Sequence, residues 1–132
     1  MSFILVVYGK VPSKSSSRRI IINRRTGRPM VISSKKTLMY EKDFAKQVTS
    51  QYKNKFNPDD RLKVSINWYS NNFKQDIDNI PKVILDNCEK NDIIYNDNRV
   101  DFLQITRIID KKNPRADIFI EVKNRIKDEY VD

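Results

Sequence analysis

From Arg61 to Ser70 the chain alternates, with Leu62, Val64, Ile66 and Trp68 on one face and Lys63, Ser65 and Asn67 on the other. Period two over such a length is the mark of a strand with one face buried and the other in water. A chain of 132 residues can bury that face in a single core without disulfide or metal staples. The neighbouring patterns fit around this strand. Residues 3–8 are apolar and β-branched-rich and end at Gly9 and Pro12, which predicts a buried strand. Residues 100–109 and 116–123 predict two more strands, joined by a turn at 110–114. Tyr40, Phe44, Val48 and Tyr52 recur every four residues, which predicts a helix over about 35–55 with Ser33, Ser34 or Thr37 as its cap. A second helix is expected over 78–90, with Asp78 as N-cap and Pro81 tolerated in the first turn.

Two short Ile/Val-rich runs, 19–23 and 28–33, flank Arg24, Arg25, Thr26 and Gly27. Gly27 can take the positive φ of a tight loop, so this segment reads as a β-hairpin with a basic tip. The fold expected is one small α+β domain over residues 1–123. A mixed sheet is packed by two main helices, a basic hairpin lies near the N-terminus, and 124–132 forms a polar, frayed tail.

Charge is unevenly placed. Residues 1–60 hold 13 Lys/Arg against 4 Asp/Glu, whereas 61–132 hold 13 of each. Between Lys10 and Lys36 there are nine basic residues and no acidic one. A block of this kind reads as a polyanion contact, nucleic acid before anionic membrane, with a merely solvated surface as the plain alternative. The candidate contacts are Lys10, Lys14, Arg18, Arg19, Arg24, Arg25 and Arg28, with Lys74 further along.

Other chemistries are closed off. Cys88 is the single cysteine and there is no histidine. Disulfide frameworks, cysteine zinc sites and His-dependent catalysis all fall away. The longest apolar run, residues 3–8, is too short for a membrane span, so a reducing, cytoplasmic setting is expected. What remains is a group of carboxylates: Asp76 and Asp78, with Lys82 four residues on and Asp97 after the helix. Alternation in an extended segment places Asp76 and Asp78 on one side. A helical turn then brings Lys82 above the same face. Asp97 is free to return beside them. Hard carboxylate oxygens suit Mg²⁺ or Mn²⁺. A polyanion meets carboxylates without repulsion only if a divalent cation lies between, which is the chemistry of metal-assisted phosphodiester hydrolysis. The plainer readings are that Asp78 only caps a helix and Lys82 only pairs with Asp78 or Asp86. An EF-hand is excluded by the missing third ligand, loop glycine and terminal Glu.

The run Asp76-Ile77-Asp78-Asn79-Ile80-Pro81-Lys82, followed by Tyr95-Asn96-Asp97-Asn98-Arg99-Val100, resembles the RusA-type Holliday junction resolvases. Gly9-Lys10-Val11-Pro12-Ser13 and Val31-Ile32-Ser33 leading to Tyr40 extend the resemblance to about residues 3–122. It implies a homodimeric, Mg²⁺-dependent endodeoxyribonuclease that makes paired symmetric nicks in four-way DNA junctions, with no small-molecule substrate and no membrane partner. By the same resemblance Asp76, Asp78 and Asp97 are the metal-binding catalytic acids. Lys82 is then the essential lysine near the scissile phosphate. The chain departs from the family pattern in the weakly basic loop 71–75 and in Asn96, which stands where a second acid is usual. A non-catalytic nucleic-acid-binding module is the alternative reading. A regulator that binds its partner through the hairpin is a third. If the hairpin tip holds phosphates, replacing Arg24, Arg25 and Arg28 with Ala will weaken DNA binding regardless of sequence. The log–log salt slope will fall by about one unit per lost contact. Titration at several salt concentrations measures both.

Overall fold

The computed structural model describes residues 1–12 and 18–123. In chain order its elements are β1 (Ser2–Tyr8), β2 (Arg18–Ile22), β3 (Pro29–Ser33), α1 (Lys35–Gln47), β4 (Leu62–Ser70), α2 (Ile80–Lys90), β5 (Val100–Ile109) and β6 (Arg115–Val122). Short 3₁₀ turns lie at Ser50–Tyr52, Ile77–Asn79 and Asp97–Arg99. The main sheet has the order β1-β6-β4-β5, while β2 and β3 pair only with each other. β6 runs antiparallel to both β1 and β4, and β5 runs parallel to β4. The architecture is the expected α+β domain, a mixed sheet with two helices.

Parallel neighbours cannot be joined by a hairpin and need a crossover element. Here α2 is that element, leaving the end of β4 and returning the chain to the start of β5. β5 and β6 follow each other in sequence yet lie on opposite sides of β4. The link 110–114 therefore passes the end of β4, where the Asp110 amide donates to the Ser70 carbonyl at 2.8 Å.

One core joins alternate residues of the strands to both helices. β4 contributes Leu62, Val64, Ile66 and Trp68, β6 contributes Ala116, Ile118 and Ile120, and β1 contributes Leu5 and Val7. Against them pack Tyr40 and Phe44 of α1 and Ile80, Val83, Ile84 and Cys88 of α2. Since all the strands present the same alternate set, both helices cover one face of the sheet. Ile4, Asn67, Phe102 and Gln104 are exposed on the other. Among the described residues no helix is long and apolar enough to cross a membrane.

The structure corrects several local expectations. Only one face of β1 is covered by the helices, so Leu5 and Val7 are buried while Ile4 and Tyr8 lie exposed. The apolar run marks one covered face and one bare face. α1 stops at Gln47, well short of residue 55. Ser34 caps its start by accepting from the Thr37 amide at 3.3 Å. Val48 then turns extended, and the β-branched Val48 and Thr49 do not favour continuing the helix. The spacing survives in another role, because the Tyr52 ring meets Phe3 edge-on at 5.3 Å. The hairpin loop closes as expected. The Gly27 amide donates to Asn23 at 2.7 Å, with Gly27 at φ 67°. Lys14 and the tail 124–132 lie outside the described residues, and for Arg18 and Arg19 only the backbone is described.

Burial pushes the Cys88 thiol up to about 12. At pH 8 it is thus neutral and sealed beneath α2, and thiolate is the reactive form. Native protein will resist maleimide at pH 8 and label quickly once urea unfolds it. Rapid labelling of the native state would contradict the packing of α2.

Candidate functional site

The site forms where β4 hands over to α2. Ligand sites in open sheets with crossover helices favour this carboxyl end of a strand. The loop 71–75 is pinned rather than slack. Asn72 Oδ1 accepts from the Lys74 amide at 2.9 Å, and Gln75 Nε2 donates to the Val11 carbonyl at 2.9 Å. The Arg107 guanidinium donates to the Gln75 carbonyl. Asp76 follows directly on this anchored residue and is exposed.

Asp76 has extended backbone angles, but the Asn79 amide then bonds back to its carbonyl at 3.3 Å and closes a 3₁₀ turn. The pleat therefore ends at Asp76, and pleat alternation does not place Asp78 beside it. Nor does Asp78 cap α2. Asn79 holds the cap position with helical backbone angles and makes no side-chain cap bond, with Pro81 in the first turn behind it. Local hydrogen bonding to the preceding turn takes up the start of the helix, so the Asp78 carboxylate is not consumed by capping. The carboxylates of Asp76 and Asp78 form no ion pair among the described residues.

Lys82 reaches down the helix instead of back towards Asp78. Its ammonium meets Asp97 Oδ2 at 2.6 Å and Asp86 Oδ1 at 3.3 Å. The hydrogen bond to Asp97 above all, with that to Asp86, raises the Lys82 pKa above its ordinary value, against the opposing pull of burial. Lys82 is a cation throughout the neutral range. Asp97 opens the 3₁₀ turn ahead of β5, and its amide donates to Glu89 Oε1 at 3.3 Å. Asn96 caps that turn by accepting from the Asn98 amide at 2.9 Å. Asp101 serves the fold, held by Arg61 and, at 3.6 Å, by Lys123.

The structure thus brings Lys82 together with Asp97 and sets Asp76 and Asp78 four to six residues before it, exposed and without an ion pair among the described residues. Among the described residues no three potential ligands converge as a ready-made ion cage. The donor chemistry still fits Mg²⁺ or Mn²⁺: two free hard carboxylates, and a third held only by a half-exposed lysine on a flexible stem.

The cations expected to meet DNA are spread around this end and the hairpin. Lys74 is exposed two residues before Asp76. Lys10 lines a cavity of about 400 Å³ with Lys36, Tyr40 and Gln75. Arg24, Arg25 and Arg28 are exposed at the hairpin tip. Of the two partners the sequence offered Lys82, the structure pairs it with Asp86 and not Asp78, while sequence reasoning missed Phe73 and Arg107, which share a cavity with Asp76. Two signals were there to find them: one aromatic in a polar loop, and one arginine where β5 should be apolar.

A basic α+β domain with unpaired carboxylates and a lysine at the head of a crossover helix has the donor types of the enzymes that act on phosphodiesters. The family model described as Endodeoxyribonuclease RusA matches residues 11–121. The chain belongs to the RusA endodeoxyribonuclease family, a family of DNA-cleaving hydrolases, as the resemblance implied. A search of curated proteins returns no match to it.

Proposed function

We propose that the protein is a Mg²⁺-dependent, structure-selective endodeoxyribonuclease that resolves four-way DNA junctions by paired symmetric nicks. The observation that carries this reading is the pair of uncommitted carboxylates, Asp76 and Asp78, one helical turn ahead of the Lys82–Asp97 pair. Exposed acids with neither a capping nor an ion-pairing duty among the described residues, in a chain of net charge +9, suit a ligand rather than the fold.

Asp76, Asp78 and Asp97 would hold the cation. When bound, Mg²⁺ supplies charge neutralisation at the scissile phosphate and acidifies the attacking water. Asp97 would be available to the cation once Lys82 turned to the phosphate, with Asp86 keeping the ammonium near the helix. A cationic Lys82 would stabilise the negative charge on the phosphoryl oxygens in the transition state. It does not act as the base. Arg24, Arg25, Arg28, Lys10 and Lys74, with Lys14, Arg18 and Arg19, carry the DNA backbone.

Incubating the protein with a synthetic four-way junction and a matched linear duplex, with and without Mg²⁺, tests the reading. Junction-selective, metal-dependent nicking is expected. Asp78→Asn will lower it by more than about 100-fold, because even outer-shell changes at metal sites cost about 10–100-fold. Junction binding in that variant should be retained or tighter, since a charge that repels phosphate is gone. Full activity in Asp78→Asn removes the site assignment. Binding without cleavage under every metal condition favours a non-catalytic module.

The same reading includes a homodimer. Ile20, Ile22 and Val31 on the hairpin are 72%, 69% and 60% exposed. A two-stranded hairpin with bare apolar faces is marginal in water by itself. A second copy covers it most economically, with the exposed edge of β1 as a further shared surface, and a two-fold dimer sets one site on each strand to be cut. Light scattering at micromolar concentration should return twice the chain mass of 15.7 kDa. A monomer that still nicks both strands symmetrically refutes the dimer.

A further inference from the structure

We infer that Arg107 is a docking group for one backbone phosphate of the bound DNA strand, at the mouth of a cavity that it shares with Asp76 and Phe73. The inference rests on the nuclease reading and adds a contact that neither the basic hairpin nor the acids supply.

On β5 the positions facing the core side are Leu103, Ile105, Arg107 and Ile109, in register with Val64, Ile66, Trp68 and Ser70 of β4. A cation in that row is out of pattern. Its guanidinium carbon lies over the Trp68 ring, 4.6 Å from the centroid, a cation–π contact that helps to hold the group in place. One terminal nitrogen donates to the Gln75 carbonyl, while Nε is buried with no acceptor. Among the described residues Arg107 has no carboxylate partner. Arg115 on β6, by contrast, is paired with Asp110 at 3.2 Å and Asp117 at 3.6 Å. A half-buried cation with donors to spare and no counter-ion is stabilised by an incoming anion.

The surroundings identify the anion. Arg107 lines an open cavity of about 430 Å³ together with Phe73, Gln75, Asp76 and Ile77. Phe73 is 74% exposed, an aromatic face offered to solvent in an otherwise polar loop. An aromatic ring beside an unpaired guanidinium is the pairing that holds single-stranded nucleic acid, base on ring and phosphate on cation. Asp76 and Arg107 line the same cavity without forming an ion pair, so each keeps its charge for a ligand. The guanidinium offsets the repulsion that Asp76 alone would exert on a phosphodiester. A phosphate seated there lies beside the acids proposed to cut the strand.

The experiment uses a set of junctions, each with a single uncharged methylphosphonate at a different position around the cleaved bond. Binding is measured with the full chain in EDTA, so that nothing is cut. Trp68 is the only tryptophan and lies fully buried under the Arg107 guanidinium, so its emission reports engagement of that group. One methylphosphonate position should lower wild-type affinity about tenfold, the scale of one charge-assisted hydrogen bond, and abolish the change in Trp68 emission. Arg107→Gln should show the same loss with unmodified DNA and no further loss at that position, while Arg107→Lys restores part of it. A folded Arg107→Gln protein with wild-type affinity and an unchanged methylphosphonate profile overturns the inference. Should Arg107→Gln not fold, the wild-type scan decides alone, and an emission change indifferent to every methylphosphonate overturns it. Cleavage by wild-type protein combined with a flat scan rejects the Arg107 contact only. Failure of wild-type protein to bind or cleave DNA under any metal condition rejects the nuclease reading and this contact together.

Discussion

The parallel pairing of β4 with β5 is the constraint from which the site follows. Two parallel neighbours require a crossover, and the crossover here is α2. Its buried stripe of Ile80, Val83, Ile84 and Cys88 holds it against the sheet. Its first turn therefore has to start at the carboxyl end of β4. Asp76, Asp78 and Lys82 occupy that start, and Asp97 occupies the return to β5. The Lys82–Asp97 contact at 2.6 Å spans the crossover from its outgoing to its incoming end.

Around this frame the polar loop is built to be still. Gln75 is tied by its side chain to Val11 and by its carbonyl to Arg107, so two distant segments meet immediately before Asp76. Arg107 is itself stacked on Trp68, the largest side chain of the core. Position at the acids is thus inherited from the packing of the central strand. Charge is divided in a complementary way. Asp76 and Asp78 lie past the carboxyl end of β4, Asp97 lies ahead of β5 at the return of the crossover, and the excess of cations lies in the first half of the chain.

The hairpin obeys a different logic. β2 and β3 share register with each other and nothing with the main sheet, and Ile20, Ile22 and Val31 stay in solvent. Its loop is nevertheless well closed by Asn23 and Gly27. Local turn chemistry is sufficient to shape the arm, whereas among the described residues nothing covers its apolar faces.

Much of this was legible in the sequence. The period-two run of β4, the four-residue spacing of α1, the Gly27 turn and the D-x-D-N run with its lysine all depend on neighbours within a few residues. Such signals survive in one dimension. Other features were not legible. Residues 3–8 read as a buried strand, yet β1 buries only the Leu5 and Val7 face, because which face is covered depends on a sheet built with partners more than a hundred residues away. Asp78 read as a cap, yet a 3₁₀ turn closed by Asn79 starts the helix two residues later. Lys82 has carboxylates on either side in sequence, and only the path of α2 decides that it meets Asp97 and Asp86 rather than Asp78. By itself the sequence determined the elements, the charge division and the family. The tertiary structure decided which strand lies beside which and which charges are left unpaired, because both depend on long-range pairing through β4 that no local pattern encodes.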